Sequence, residues 1–163
     1  MPAMSLIKAF CVVLAVVLSI PAAFALDQTP MHLPVDSRPL VINTSKGDVP
    51  FAVEIADDDT ERQRGLMFRT DLKANSAMLF VFDQARQVTM WMENTPSALD
   101  MLFLDEKGRI TTIRQNAVPF SRDIIASDGP ASYTVEVKAG TVRRLGIAVG
   151  DKVRHPSIKS DGG

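Results

Sequence analysis

The chain has 163 residues, 46% of them hydrophobic and 23% charged, with a formal net charge of −1 at pH 7. That length suits one domain plus an export segment. Charges of both signs are scattered, so neither a basic stripe for nucleic acid nor a polybasic run for anionic lipid is present.

Lys8 supplies a short positive start, Ala9–Ile20 is apolar except for Ser19, and Ala23-Phe24-Ala25 fits a small-x-small cleavage site. Residues 1–25 therefore read as a signal peptide cut after Ala25, which predicts a periplasmic or secreted protein. The apolar run falls short of the roughly 20 residues of a bilayer span, so no stable membrane insertion is expected after cleavage. An uncleaved N-terminal anchor is the competing reading. Cys11 is the only cysteine and lies in the removed segment. The mature chain is then cysteine-free, which excludes disulfides, thiolate catalysis and cysteine-held metals.

Residues 26–39 carry Pro30, Pro34 and Pro39 and read as an extended leader or linker. Leu40–Thr44 and Val49–Ala56 form a first hairpin around Ser45-Lys46-Gly47-Asp48, with Phe51, Val53 and Ile55 on one face and Ala52 and Glu54 on the other. Asp57–Arg64 is a helix: Asp58 and Glu61 have capping-box spacing, and Gly65 suits the left-handed position past its end. Acids at its start and arginines at its end complement the dipole, which accounts for Asp57-Asp58-Asp59 without a cation. Leu66, Met67 and Phe68 are expected to tuck under the sheet.

Met78–Phe82, apolar throughout, predicts a strand covered on both faces. Gln87–Glu93 alternates, with Val88, Met90 and Met92 on one side and Trp91 on the other. Pro96 ends that pattern. Leu99–Leu104 and Arg109–Arg114 make a hairpin in which Gly108 takes positive φ. Asn116–Pro130 reads as irregular, a surface loop bordering a cleft. Tyr133–Lys138 is a strand, Thr141–Leu145 a helical turn capped by Thr141 and stopped by Gly146, and Ile147–Arg154 a short strand around a Gly150-Asp151 turn. Residues 156–163 read as a disordered tail. These elements predict a mainly β (β-rich α+β) single domain over residues 40–155. The expected form is a small barrel or sandwich of seven to eight short strands with one capped α-helix packed on it.

Five motifs in fixed order carry a resemblance: Arg64-Gly65-Leu66-Met67-Phe68-Arg69, Met78–Phe82, Trp91-Met92-Glu93-Asn94-Thr95, Leu99–Asp105, and Glu136 with Ala139-Gly140-Thr141 and Gly150-Asp151. From Phe51 to Val153 the chain resembles domain-of-unknown-function family 192, a bacterial and archaeal family. The resemblance implies a compact β-rich fold, often exported, and brings with it no reaction, cofactor or catalytic set.

The residues themselves limit the chemistry. His32 lies in the leader and His155 near the tail, outside the expected core, so no Ser-His-Asp arrangement or multi-histidine zinc site is expected. Nucleotide-binding, zincin and hydrolase-elbow motifs are absent. No metal and no cofactor are predicted. Met67, Met78, Met90, Met92 and Met101 are soft ligands of the kind that hold Cu(I). Met90 and Met92 share a face with Val88, however, and read as core filler.

Two carboxylates stand in apolar strands, Asp100 and Glu136. Facing outward they are solvated; facing inward they need a partner. Arg69 is the expected one, in a semi-buried Arg69–Asp100 or Arg69–Glu136 pair at the mouth of a pocket. Trp91, Asn94 and Thr95 supply a stacking face, an amide and a hydroxyl, or else a core Trp beside a satisfied turn. The favoured reading is a non-enzymatic binding module whose pocket, lined by Arg69, Trp91, Asn94, Thr95, Asp100 and Glu136, takes a carbohydrate, a cell-envelope fragment or a peptide. One rival is a hydrolase of envelope polymers using Asp100 and Glu136, which needs the two carboxylates roughly 5–10 Å apart across a cleft. Another is an envelope assembly partner that uses a free sheet edge.

Overall fold

Two apolar surfaces, one on each face of a single sheet, organise the chain. A computed structural model describes residues 28–159. The expected signal peptide and the tail beyond Lys159 lie outside the described residues. The elements in chain order are β1 (Leu40–Thr44), β2 (Gly47–Ala56), α1 (Asp59–Arg64), β3 (Ser76–Met90), β4 (Leu99–Leu104), β5 (Ile110–Ala117), β6 (Ile125–Lys138), α2 (Thr141–Leu145) and β7 (Lys152–Arg154). The strands form one sheet in the order β5-β4-β6-β3-β2-β1-β7. β2 and β3 pair in parallel across the connection that carries α1, and the other pairs are antiparallel. This is the mainly β fold, with a capped helix, that the pattern predicts.

The sheet curls into a half-barrel whose two edge strands meet at one end. Arg109 and Lys152 form a bridge, Ile110 N–H donates to Asp151 O at 2.9 Å, and Val153 N–H donates to Gly108 O at 2.8 Å. Gly108 is needed there twice over. Its φ is +78°, and a Cβ would sit 2.6 Å from Val153 O.

The concave face holds Leu40, Ile42, Phe51, Val53, Leu79, Leu102, Leu104, Val135 and Val137. The convex face holds Met78, Phe80, Val88, Met101 and Phe103, covered by Leu66, Leu72 and Met92 from the connections after β2 and β3. All six residues of β4 are buried for that reason. Met78, Met92 and Met101 are core residues.

Several boundaries differ from expectation. The two strands expected at Met78–Phe82 and Gln87–Glu93 are one long strand, β3, whose register against β6 shifts between Val81 and Arg86 and again between Gln87 and Thr89. The irregular stretch expected over Asn116–Pro130 shrinks to residues 118–124, because β6 begins at Ile125. Pro130 lies in β6 opposite Gln87, next to a register shift against β3 and before the point at Tyr133 where pairing with β4 begins, the kind of irregular position where a strand accepts proline. α2 is capped by Gly140 without a side-chain bond, not by Thr141. The tail does not fray at Pro156: Ile158 is buried, and Lys159 N–H donates to Tyr133 Oη at 3.1 Å. His155, expected outside the core, is buried too. The leader is extended but held, with Val35 bridged to Glu54 and Leu33 N–H donating to a Glu54 carboxylate oxygen at 2.9 Å. Among the described residues no helix is long and apolar enough to cross a membrane.

Candidate functional site

α1 is only six residues long, so its position depends on its ends. The capping box forms: the Asp58 carboxylate accepts from Glu61 N–H at 2.8 Å, and Glu61 accepts in return from Asp57 and Asp58 N–H. Arg62 then ties the helix to the sheet, donating to Asp57 O at 2.5 Å and to Val81 O at 2.8 Å while pairing with Asp59 at 2.6 Å. At Gly65 the chain turns so closely over Phe80 that a Cβ would lie 3.1 Å from the ring. Leu66 is thereby buried and Met67 half-buried beside it.

Opposite α1, the connection leaving β3 is anchored by buried Met92 and Thr95 and by backbone bonds on both sides. Phe68 N–H donates to Asn94 O at 2.7 Å, Phe120 N–H to Thr95 O at 3.1 Å, and Met92 N–H to Ser121 O at 3.0 Å. Phe68, Asn94 and Phe120 all have left-handed φ, between 55° and 65°. Asn tolerates that conformation, whereas each Phe costs about 1–2 kcal/mol. Strain of this kind concentrates at working sites, and here all three residues belong to the clasp around one loop. Trp91, just outside the clasp, remains 51% exposed.

Between α1 and this loop lies a cleft of about 250 Å³ on the convex face. Phe80 and Glu136 form its floor, and Leu66 and Met67 one wall. Phe82, Met90, Trp91 and Thr95 form the other, with Asp59, Arg62, Arg64 and Arg86 at the rim. Arg86 stacks over Phe82 at 5.2 Å, and Arg64 over Phe68 at 5.3 Å.

Glu136 is the unusual member. Its cross-strand neighbours are Met78 and Met101, and it is only 4% exposed. Among the described residues nothing hydrogen-bonds or pairs with its carboxyl, and burial alone raises the pKa to about 8. At neutral pH it is mostly a neutral acid, able to donate one hydrogen bond and to accept others.

Three of the six expected site residues, Trp91, Thr95 and Glu136, line this cleft together. Asn94 stands beside it, shaping the loop through its carbonyl, with its amide 4.0 Å from Met67 Sδ. Arg69 pairs with neither Asp100 nor Glu136. Its Nη1 lies 2.9 and 2.7 Å from the two oxygens of Glu54, and its Nε lies 2.9 Å from Asp71. Burial opposes the Arg69 charge, but these bonds outweigh it and raise its pKa, while Asp71 is drawn down to about 2, chiefly by Arg69. The sequence reading missed Glu54 because it named only carboxylates in the central strands.

Asp100 is also elsewhere. It is fully buried on the concave face, registered opposite Val137, and accepts from Asn116 N–H at 2.9 Å and from Val142 N–H at 3.0 Å. It thus supplies the cap that α2 lacks and fixes the left-handed bend at Asn116. Asp100 and Glu136 project from opposite faces, so the two-carboxylate hydrolase site does not form. The sequence reading also missed Arg62, Arg64 and Arg86 as rim residues, although the first two were recognised as helix-terminal charges. Among the described residues no group of three or more His, Cys, Asp or Glu is placed to hold a metal ion.

The DUF192 family model, described as an uncharacterized ACR, matches residues 41–155. No curated protein matches the chain. A crystal structure of a protein from Sinorhizobium meliloti 1021, named as a candidate transcription regulator, is 40% identical. It superposes with a TM-score of 0.73 over 78% of this chain and 99% of its own. A protein of unknown function from Novosphingobium aromaticivorans DSM 12444 is 34% identical, with a TM-score of 0.71 over 78% of this chain and 93% of its own. The cleft is thus set in a family fold, and the chain belongs to the DUF192 family.

Proposed function

We propose that this domain is an exported, non-enzymatic binding module whose cleft between α1 and the Trp91–Thr95 loop takes a small molecule, sugar or peptide end. One observation carries the reading: Glu136, buried at the cleft floor with no partner of its own. A group left so costly to bury is kept where a ligand uses it. The half-exposed Trp91 face beside it offers stacking area to a ring. A volume of about 250 Å³ lies below the usual range for whole drug-sized ligands, so the cleft suits one ring or one chain end.

The name of the Sinorhizobium relative suggests a role in transcription. A chain with net charge −1 and no basic run lacks the electrostatic footprint of a protein that grips a nucleic-acid backbone. Export follows from the pattern of residues 1–25, and mass spectrometry of the protein recovered from its producing cell tests it, a mature start at Leu26 being expected.

The binding reading is tested by thermal shift of the protein from Leu26 onward against envelope sugars and peptide fragments. One ligand class should raise the Tm by mass action. Trp91→Ala should remain folded and lose that shift. Equal shifts in both proteins would place binding outside the cleft.

A further inference from the structure

The polar groups around the cleft are engaged within the protein, with one exception. Arg62 is held by Asp57 O, Val81 O and the Asp59 carboxylate. Arg64 donates to Thr29 O and lies over the Phe68 ring. Arg86 is exposed, lies over Phe82 and has Nη1 3.4 Å from Gln87 O. The Thr95 hydroxyl is directed to Glu93 O at 3.3 Å. Gln63 and Thr89 are exposed. Beneath the apolar walls of Leu66, Met67, Phe80, Phe82, Met90 and Trp91, the floor offers one carboxyl, that of Glu136. A protonated carboxyl presents an O–H donor and a C=O acceptor side by side in one plane.

We propose that the ligand is a neutral flat ring with an N–H and a C=O adjacent on one edge, a lactam or a ring-borne primary amide. That edge pairs with the Glu136 carboxyl through two hydrogen bonds, and Trp91 covers the ring face. This rests on the binding-module reading and names its ligand class. A lone hydroxyl satisfies only one side of the carboxyl. A trans peptide unit points its N–H and C=O in opposite directions, so it cannot supply both. An ammonium brings more donors than one carboxyl accepts, and the apolar walls leave the others unpaired. A ligand carboxylate is ionised at neutral pH and has no proton to give the Glu136 C=O.

The pairing requires binding to depend on pH. Asp59, Arg62 and Arg64 face Glu136 from α1 and Arg86 from β3, and the loop after β3 presents Thr95 and Trp91. Glu93 of that loop is paired with Arg122. Across the sheet, Glu136 shares its row with Met101 and Arg114 on one side and Met78 and Glu54 on the other. Glu54 and Arg114 stand two strands away, about 10 Å, paired with Arg69 and Asp128. None of these groups titrates between pH 7 and 9 in its ordinary range. Glu136, raised to about 8 by burial, does, and its anion has lost the donor. The competent fraction falls about tenfold across that interval, and the apparent affinity falls with it.

The test is calorimetric titration of the protein from Leu26 onward with 2-pyridone, N-methyl-2-pyridone, benzoate and benzylamine. 2-Pyridone stays neutral across that interval and should bind, about tenfold more weakly at pH 9 than at pH 7. The N-methyl compound, which lacks the donor, should bind about tenfold or more below it, and the two ions not at all. Glu136→Met should lose binding, and Trp91→Ala should weaken it about tenfold. Glu136→Gln, whose amide keeps a donor beside an acceptor, should bind with a flat pH profile. Equal binding of both pyridones, or tighter binding of either ion with loss in Trp91→Ala, overturns the amide class and leaves the binding module standing. No binding of any probe, alongside a Trp91-dependent shift with an envelope fragment, does the same. Blank results in both screens overturn the module itself. A pH dependence retained in Glu136→Gln overturns the role assigned to that residue.

Discussion

Glu54 and Arg69 form a buried ion pair, with both carboxylate oxygens within 3 Å of one guanidinium nitrogen. The same carboxylate accepts from Leu33 N–H, so the pair fastens the segment before β1 to the convex face. Glu54→Gln leaves a buried guanidinium with only Asp71 as a charged partner, and should cost about 3 kcal/mol. Urea unfolding measures the loss, and limited proteolysis should cut earlier between residues 28 and 39.

Asp100→Asn tests a structural carboxylate. Asn offers one acceptor where Asn116 and Val142 present two donors, so one N–H faces an amide NH2. The expected cost is about 1–3 kcal/mol. Ligand binding by the folded fraction should not change, which separates this variant from one with a damaged cleft.

Glu136→Gln should stabilise the protein, in a pH-dependent way. The folded pKa of about 8 lies above the ordinary 4.5, so the native state holds a proton that the unfolded chain releases. Wild-type stability is then greatest below about pH 4.5 and falls as pH rises towards 8. At pH 7 the glutamine variant should be ahead by about 3 kcal/mol, and at pH 4 the two should match. Parallel thermal melts at the two values decide it.

Gly108→Ala should open the seam between β5 and β7. A positive φ alone costs an alanine about 1–2 kcal/mol, and the approach of Val153 O to 2.6 Å forces the strands apart as well. A total loss of at least about 2 kcal/mol is expected. Hydrogen exchange should quicken first at Val153 and Ile110, whose N–H groups cross the seam.

What could be read beforehand was local. The Asp58–Glu61 box, the span of β4 and the Gly108 turn each follow from residues within a few positions of one another. Trp91, Thr95 and Glu136, which line one cleft, each stand out from their neighbours in the sequence: a lone indole, a hydroxyl before proline, an acid between valines. The partner of Arg69 was not legible, because Glu54 reaches it only through the parallel pairing of β2 with β3. Nor was the separation of Asp100 from Glu136. A shift of one residue in register exchanges the faces of a strand, and no short-range signal sets that parity.

The pairing of β1 with β7 joins Val41 to Arg154. A sheet finished by so distant a contact must hold a long loop together before its last strand docks, and such topologies fold in milliseconds to seconds rather than microseconds. During that delay the chain has no closed seam to resist threading. Slow completion of the sheet would leave the chain open for longer, which is the kinetic property that the export proposed above would require.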